Sequence, residues 1–115
     1  MNSDCVFCAI ATGDIPADIV AQSDSWVAFR DLSPQAPIHV LVIPREHLVS
    51  VNDLDATRKD LAGELLLAAR EVAALEGLAD DGYRVVANTH ERAGQSVFHI
   101  HLHVLGGRTM RWPPG

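Results

Sequence analysis

The chain has 115 residues, of which 48% are hydrophobic, and these values suit one domain, residues 1–115, with a single core. A formal net charge of −6 argues against broad binding to nucleic acid or to an anionic membrane, because both depend on extended basic surface. The N-terminus lacks the pattern of a signal peptide, and no stretch approaches the roughly 20 apolar residues that span a bilayer, so we expect a soluble, cytoplasmic protein.

The first part of the chain predicts a short helix and a β-hairpin. Residues Asp4 to Gly13 are typical of a helix with an acidic cap at its start and a glycine at its end. Ile19 to Gln22 and Trp26 to Arg30, joined by polar residues, predict the hairpin. Its second strand leads to Asp31, which opens a loop that two prolines stiffen.

Two cysteines spaced Cys5-x-x-Cys8 lie in the predicted first helix. They could form a disulfide, half of a metal site or two buried thiols. A reducing cytosol disfavours the disulfide.

The middle of the chain predicts a buried strand followed by a long helix. His39 to Ile43 is almost continuously apolar, as in a strand covered on both faces, and Pro44 ends it. From Ala56 to Glu76 apolar residues recur every three or four positions, which predicts an amphipathic helix with Asp55 as its cap. His39 is the one polar residue of its strand, and a histidine there is more often a hydrogen-bonded core residue.

The last part predicts a strand over Tyr83 to Asn88 and a fifth strand within Gly94 to Gly107. Histidines occupy every second position of the fifth strand, so His99, His101 and His103 share one face. Neighbours on that face stand about 6.6 Å apart and the outer pair about 13 Å apart. Because metal–nitrogen bonds are only about 2 Å long, we do not expect one ion to bind all three.

These elements predict an α+β fold with a five-stranded antiparallel sheet, one long helix and one short helix. We expect both helices to pack on one face of the sheet.

The segment His99-Ile100-His101-Leu102-His103-Val104-Leu105 is similar to the His-φ-His-φ-His-φ-φ signature, with φ apolar, of the histidine-triad nucleotide hydrolase and transferase superfamily. Asp31-Leu32-Ser33-Pro34-Gln35-Ala36-Pro37, Gly94-Gln95-Ser96-Val97 and Trp112-Pro113-Pro114-Gly115 resemble its Hint branch, the purine nucleoside phosphoramidases. The resemblance implies a homodimer with a continuous ten-stranded sheet, in which the C-terminal tail packs toward the partner's active site.

The resemblance also implies a reaction. His101 attacks the α-phosphorus of a purine nucleoside 5′-phosphoramidate, or of an aminoacyl adenylate, to give a covalent nucleotidyl-histidine that water then cleaves. Protonated histidines would supply local positive charge for the phosphate. The residues that match the family's catalytic positions are His39, Ser96, His99, His101 and His103. Those that match its nucleotide-binding positions are Val6, Phe7, Ile10, Phe29, Asp31, Leu32, Leu41, Asn88, Gly94, Gln95, Ser96, Val97, His101 and His103.

The Cys5-x-x-Cys8 pair departs from the eukaryotic Hint proteins but resembles half of a zinc site found in other members of the superfamily. The matching remaining ligands are His47, in a Pro-x-x-His segment, and His99. The resemblance therefore implies a closed, structural zinc site of two cysteines and two histidines, and no organic cofactor.

Other functions remain open at this point. A dinucleoside polyphosphate hydrolase belongs to the same superfamily, but the Gly94-Gln95-Ser96-Val97 segment and the C-terminal Trp-Pro-Pro-Gly favour the Hint branch. A nucleotide- or partner-binding module without catalysis is disfavoured by the presence of all three triad histidines with Ser96 and Asn88. Metal storage or sensing would need tight zinc binding.

Overall fold

The computed structural model of the protein describes residues 4–115, which contain two α-helices and five β-strands. The helices are α1 (Val6–Thr12) and α2 (Lys59–Leu75), and the strands are β1 (Ile19–Gln22), β2 (Trp26–Arg30), β3 (Ile38–Pro44), β4 (Tyr83–Val86) and β5 (Leu102–Gly106). The strands form one sheet in the order β1-β2-β3-β5-β4, and all neighbouring pairs are antiparallel. The predicted α+β fold, with one short and one long helix, is confirmed.

The two helices lie on opposite faces of the sheet, so the expectation that both pack on one face is wrong. On β3, Val40 and Val42 belong to the core under α2, whereas Leu41 and Ile43 pack with Phe7 of α1. Successive strand residues point to opposite faces, and a strand that is apolar throughout can therefore carry a layer on each side. The continuous hydrophobicity of β3 is the signal of this arrangement.

Helix α2 covers one face with small and branched side chains, and its buried residues are Leu65, Ala68, Ala69, Val72 and Ala73. Asp55 caps the 3₁₀ turn Ala56–Arg58 that precedes α2, where its carboxylate accepts the Thr57 amide at 2.9 Å. The long helix itself therefore begins later than the sequence predicts. Within residues 4–115, no helix is long and apolar enough to cross a membrane.

Helix α1 is capped by Cys5 and not by Asp4. The Cys5 sulfur accepts the Cys8 amide at 3.3 Å, which places both sulfurs at the start of the helix. The helix ends as predicted at Gly13, whose φ of 84° is in the left-handed region and whose amide donates to the Ile10 carbonyl.

Regular pairing in β5 begins only at Leu102, so His99 and His101 precede the strand that was predicted to contain them. The physical reason lies at the end of β3. Pro44 has no amide to extend the ladder, and its carbonyl accepts the His99 Nε2 proton at 2.8 Å. The Ile100 amide donates instead to the Leu48 carbonyl at 2.7 Å, which ties this segment to the chain that follows β3.

Candidate functional site

The three triad histidines lie on the α1 face of the sheet. His103 stands opposite Leu41 of β3, on the face that Phe7 covers. The Phe7 ring meets His99 and His101 edge-on, with centroids 6.0 and 5.1 Å apart, and the His101 and His103 centroids are 4.9 Å apart. The His101 and His103 rings thus lie closer together than the strand rise alone predicts, and His101 precedes the regular strand.

His101 has one ring nitrogen committed to the main chain. Its Nδ1–H donates to the His99 carbonyl at 2.8 Å, because a carbonyl can only accept, and this leaves Nε2 with its lone pair. His101 is only 8% exposed, and burial lowers its pKa against opposing contributions from the His99 carbonyl and Asp31. A neutral imidazole with a free Nε2 can act as a nucleophile or a base.

His39 and His103 form a hydrogen-bonded chain whose direction is set by the main chain. The Gln35 amide donates to His39 Nδ1 at 3.0 Å, so the proton of a neutral His39 sits on Nε2. That nitrogen lies 2.9 Å from His103 Nδ1 and 3.4 Å from an Asp31 carboxylate oxygen. His103 Nδ1 therefore accepts a hydrogen bond from His39 Nε2–H, and a neutral His103 carries its own proton on Nε2.

Burial favours the neutral form of each of these rings, contrary to the expectation of protonated histidines. It lowers the pKa of His39 against the attraction of Asp31. It also lowers the pKa of His103 to about 4, to which the neighbouring His101 and His39 rings contribute. The site is therefore a set of directed hydrogen bonds and not a patch of fixed positive charge.

A cavity of about 340 Å³ opens beside these histidines, between α1 and the start of the loop after β2. Its lining brings together most of the predicted nucleotide-binding residues, namely Val6, Phe7, Ile10, Phe29, Asp31, Leu32, Leu41, Ser96, Val97, His101 and His103. Asn88, Gly94 and Gln95 are not part of this lining. The apolar wall with a few polar groups at one end suits a flat ring attached to a polar chain.

The sequence analysis did not predict one segment that also lines this cavity. Ile15, Pro16, Ala17 and Asp18 line it, together with Arg30 at the end of β2. The signal in the sequence was the apolar Ile15 next to a proline, in a turn that needs no apolar residue. In the structure this large side chain is 40% exposed.

Asp31, which lines the same cavity, is held in place by its own loop. One carboxylate oxygen accepts the Ser33 amide at 2.8 Å, and the Asp31 amide donates to the His39 carbonyl at 3.0 Å. The second oxygen is the one beside His39, and the side chain is 21% exposed. This oxygen can accept a hydrogen bond from a hydroxyl in the cavity.

Gln95 supports the neighbouring loop from inside the protein. It is 3% exposed, and its amide nitrogen donates to the Val49 carbonyl at 2.6 Å and to the Val97 carbonyl at 3.2 Å. Its oxygen accepts the His90 amide at 2.8 Å. Gln95 therefore fixes the main chain on both sides of Ser96, which leaves Ser96 exposed at the cavity.

A second cluster joins Cys5, Cys8, His47 and His99, whose ligand atoms all lie within 4.8 Å of one another. His99 Nδ1 is 3.4 and 3.5 Å from the Cys5 and Cys8 sulfurs and 3.1 Å from His47 Nδ1, and the Cys8 sulfur is 3.3 Å from His47 Nδ1. Because His99 donates Nε2–H to Pro44, its Nδ1 presents a lone pair to the cluster. The cluster could hold a metal ion.

The chain matches the family model for the HIT domain over residues 12–110. It is 46% identical over 110 residues to a purine nucleoside phosphoramidase of Escherichia coli K12, which covers 96% of this chain and 92% of that protein. A HIT-like protein of Synechococcus elongatus is 48% identical over the full length of both chains.

Solved structures agree with this match. A HIT family hydrolase from Legionella pneumophila superposes with a TM-score of 0.95 at 48% identity, covering 97% of this chain and all of that one. A histidine triad protein from Clostridium difficile superposes with a TM-score of 0.93 at 36% identity, covering 96% of each chain.

Proposed function

The chain belongs to the HIT family, and from that premise we propose that it hydrolyses purine nucleoside 5′-phosphoramidates to a nucleoside monophosphate and an amine. Its likeness to HIT hydrolases and to a phosphoramidase supports a nucleotide hydrolase in the first place. The observation that carries the finer proposal is the state of His101. Its Nδ1 is bound to a carbonyl, and its other nitrogen remains available in a residue that lines the 340 Å³ cavity, which we infer to be the nucleotide cavity.

In the first step His101 Nε2 forms a bond to the α-phosphorus while the phosphorus–nitrogen bond of the substrate breaks. The departing nitrogen takes up one proton, which the exposed Ser96 hydroxyl relays from solvent, and leaves as a neutral amine. His101 keeps its Nδ1 proton, so the intermediate carries a cationic imidazole that the His99 carbonyl stabilises.

In the second step a water oxygen bonds to phosphorus and the Nε2–phosphorus bond breaks. The electron pair of that bond returns to Nε2, which restores a neutral His101, and the attacking water releases one proton to solvent. His103, with its proton on Nε2 and its Nδ1 held by His39, donates to a phosphate oxygen in both steps.

Nucleotide binding would divide between the two ends of the nucleotide cavity. The base lies against the apolar wall of Val6, Phe7, Ile10, Phe29, Leu32 and Leu41, and Asp31 accepts the ribose hydroxyls. The main-chain amides of Ser96 and Val97 would face the phosphate, with the Gln95 side chain holding their geometry. The amides of Gly94 and Gln95 already donate to the Glu91 and His90 carbonyls, so these two residues would shape the loop. Asn88 adds a polar contact near the ribose and phosphate. Contacts of this kind with an apolar wall discriminate weakly between adenine and guanine.

The Cys5, Cys8, His47 and His99 cluster fits a structural zinc ion. Tetrahedral coordination with bonds of about 2.3 Å to sulfur and 2.0 Å to nitrogen separates sulfur from nitrogen by about 3.5 Å and two nitrogens by about 3.3 Å. The sulfur–nitrogen separations of 3.3 to 3.5 Å and the nitrogen–nitrogen separation of 3.1 Å in the cluster agree with this arrangement. Four protein ligands would close the site, so zinc would anchor α1 to the sheet and supply no chemistry to the reaction.

The remaining parts of the proposal concern assembly and setting. We expect residues 1–115 to act as one domain in a homodimer, with β4, an edge strand of the sheet, available for a ten-stranded sheet. We expect a purine nucleotide substrate, no nucleic acid, membrane or organic cofactor as a partner, and a cytoplasmic location.

The test compares the wild type with His101→Ala in steady-state hydrolysis of adenosine 5′-phosphoramidate, with released adenosine monophosphate as the readout. We expect the variant to lose at least about 10³-fold in kcat, since it removes the nucleophile of the proposed first step. His90→Asn is the matched control, because His90 is an exposed histidine with a φ of 67° that asparagine tolerates, and it should retain activity. No turnover by folded wild type would contradict the proposal and direct the assay to dinucleoside polyphosphates.

A further inference from the structure

The segment that follows β5 contacts the loop between β2 and β3, residues 31–37. Arg108 directs its guanidinium at this loop, where Nε and Nη2 donate to the Gln35 carbonyl at 3.2 and 3.1 Å. Nη1 of the same group donates to the Thr109 carbonyl at 3.3 Å, so all three nitrogens have a carbonyl partner. The planar fork of an arginine offers such parallel donors, whereas a lysine offers one ammonium group.

Gly107 brings Arg108 to this position. Its φ of 89° lies in the left-handed region that glycine adopts freely, and the chain turns there directly after the end of β5. A Cβ on Gly107 would stand 2.9 Å from the Cβ of Pro37, so the turn passes close against the loop. Two neighbouring residues of this segment therefore contact the same loop, one at Pro37 and one at Gln35.

Gln35 is also the residue whose main-chain amide orients His39. This amide donates to His39 Nδ1 at 3.0 Å, and His39 Nε2–H donates to His103 Nδ1 at 2.9 Å. The carbonyl and the amide of Gln35 flank one Cα, so holding the carbonyl restricts the position of the amide. Neither Gln35 nor Arg108 is part of the nucleotide cavity lining, and the link from Arg108 to the histidines therefore runs through the main chain.

The Gln35 amide matters because it selects the tautomer of His39. Without it, either ring nitrogen of a neutral His39 can carry the proton. The Asp31 carboxylate favours a proton on Nε2 as well, but from a longer distance of 3.4 Å. A proton on His39 Nδ1 would turn Nε2 into an acceptor, and His103 would then need its own proton on Nδ1 to keep the hydrogen bond between the two rings. His103 Nε2 would have no proton left for a phosphate oxygen.

We propose that Arg108 is a positioning residue, which holds the Gln35 amide on His39 Nδ1 and thereby fixes the direction of the hydrogen bonds from His39 through His103 to the substrate phosphate. The last link rests on the proposed phosphoramidase function, which this inference deepens. Arg108 lies outside the nucleotide cavity, so its loss should slow the reaction and leave nucleotide binding unchanged.

The first test reads the tautomers directly. Nitrogen-15 chemical shifts of the imidazoles distinguish protonated from unprotonated ring nitrogens, and they are measured at about pH 8, where the rings are neutral. Arg108→Met should move the two nitrogen shifts of His39 toward each other, because two tautomers then exchange. Arg108→Lys keeps one donor and should move them less. The shifts of His101 should stay unchanged, since its Nδ1–H donates to the His99 carbonyl.

The second test is steady-state hydrolysis of adenosine 5′-phosphoramidate. Arg108→Met should lower kcat about fivefold, the factor by which the loss of one hydrogen bond changes an equilibrium, while KM stays within about twofold. Arg108→Lys should recover part of the loss. Arg70→Met is the control, because it removes an exposed arginine from α2 on the opposite face of the sheet, and it should change neither the shifts nor the kinetics.

The outcomes separate this inference from the proposed function. Unchanged His39 shifts in Arg108→Met would overturn the inference, whether or not the protein turns over the substrate. Altered His39 shifts with a wild-type kcat, or a rise in KM without a fall in kcat, would overturn the role of Arg108 in the reaction. Altered shifts in a folded protein whose wild type has no turnover would support the hold of Arg108 on the tautomer and contradict the phosphoramidase function. Far-ultraviolet circular dichroism checks the folding of Arg108→Met, which we expect to persist because Arg108 is exposed.

Discussion

Acid should destabilise the protein through His103. Burial lowers the pKa of His103 from an ordinary value of 6.5 to about 4, so the folded state resists a proton that the unfolded chain binds readily. Between pH 6.5 and pH 4 the unfolded state therefore holds more protons, and the free energy of unfolding falls as the pH falls. These two pKa values give a loss of about 2 kcal/mol at pH 5, approaching about 3 kcal/mol below pH 4.

The comparison with His103→Asn isolates this contribution. The asparagine oxygen can take the place of Nδ1 as acceptor for His39 Nε2, which lies 2.9 Å away, but the side chain does not titrate. Urea unfolding of both proteins, in chelator and at equal protein concentration, should show the advantage of the wild type shrink by about 2 kcal/mol from pH 7 to pH 5. Parallel pH profiles for the two proteins would refute the assignment of a partly buried, neutral His103.

Two further predictions concern the metal cluster and the packing of β5. Cys8 is 2% exposed, and Cys8→Ser should abolish the retention of one zinc per chain, measured by elemental analysis of protein refolded with zinc. Ala9→Ser on the same helix is the control and should retain the zinc. Equal zinc content in the two variants would contradict the proposed metal cluster. Gly106→Ala should lower the free energy of unfolding by about 1 to 3 kcal/mol, because its Cβ would stand 2.6 Å from a methyl group of the buried Leu78. Gly63→Ala is the matched control in α2, where nothing lies within 4 Å of the added carbon. It should raise the free energy of unfolding by up to about 1 kcal/mol, with both variants measured by urea denaturation. A lower free energy of unfolding for Gly63→Ala would contradict the packing argument.

The sequence pattern predicted the secondary structure well where interactions between nearby residues determine it. The hairpin strands β1 and β2 have the predicted bounds, because a polar turn separates two short apolar runs. The ends of β3, β4 and α2 shifted by one to three residues, where capping and pairing with distant residues decide the last hydrogen bonds. The sequences of α1 and α2 did not predict their placement on opposite faces of the sheet. Each helix has one apolar face, and that face can pack on either side of a sheet.

Some features of the candidate site are visible in the sequence, and others depend on contacts between distant residues. The alternating histidines, the apolar side chains near Phe7 and the Cys5-x-x-Cys8 pair are visible in the sequence because their spacing is short. The proximity of His47 to His99 joins residues 52 positions apart, and it depends on the turn that follows Pro44. The role of Gln95 likewise depends on contacts between distant segments, since its side chain bonds to the main chain of Val49.

The sequence by itself determined the element types, the family resemblance and the residues available for chemistry, because periodicity and short motifs act within a few positions of the chain. Only the tertiary structure decided which nitrogen of each histidine is available. The Gln35 amide and the carbonyls of Pro44 and His99 are main-chain groups with no signature in residue identity, yet each selects a tautomer by donating or accepting one hydrogen bond. Such partners determine which ring nitrogen of a histidine donates and which accepts. They become neighbours of the histidine only when the sheet is assembled.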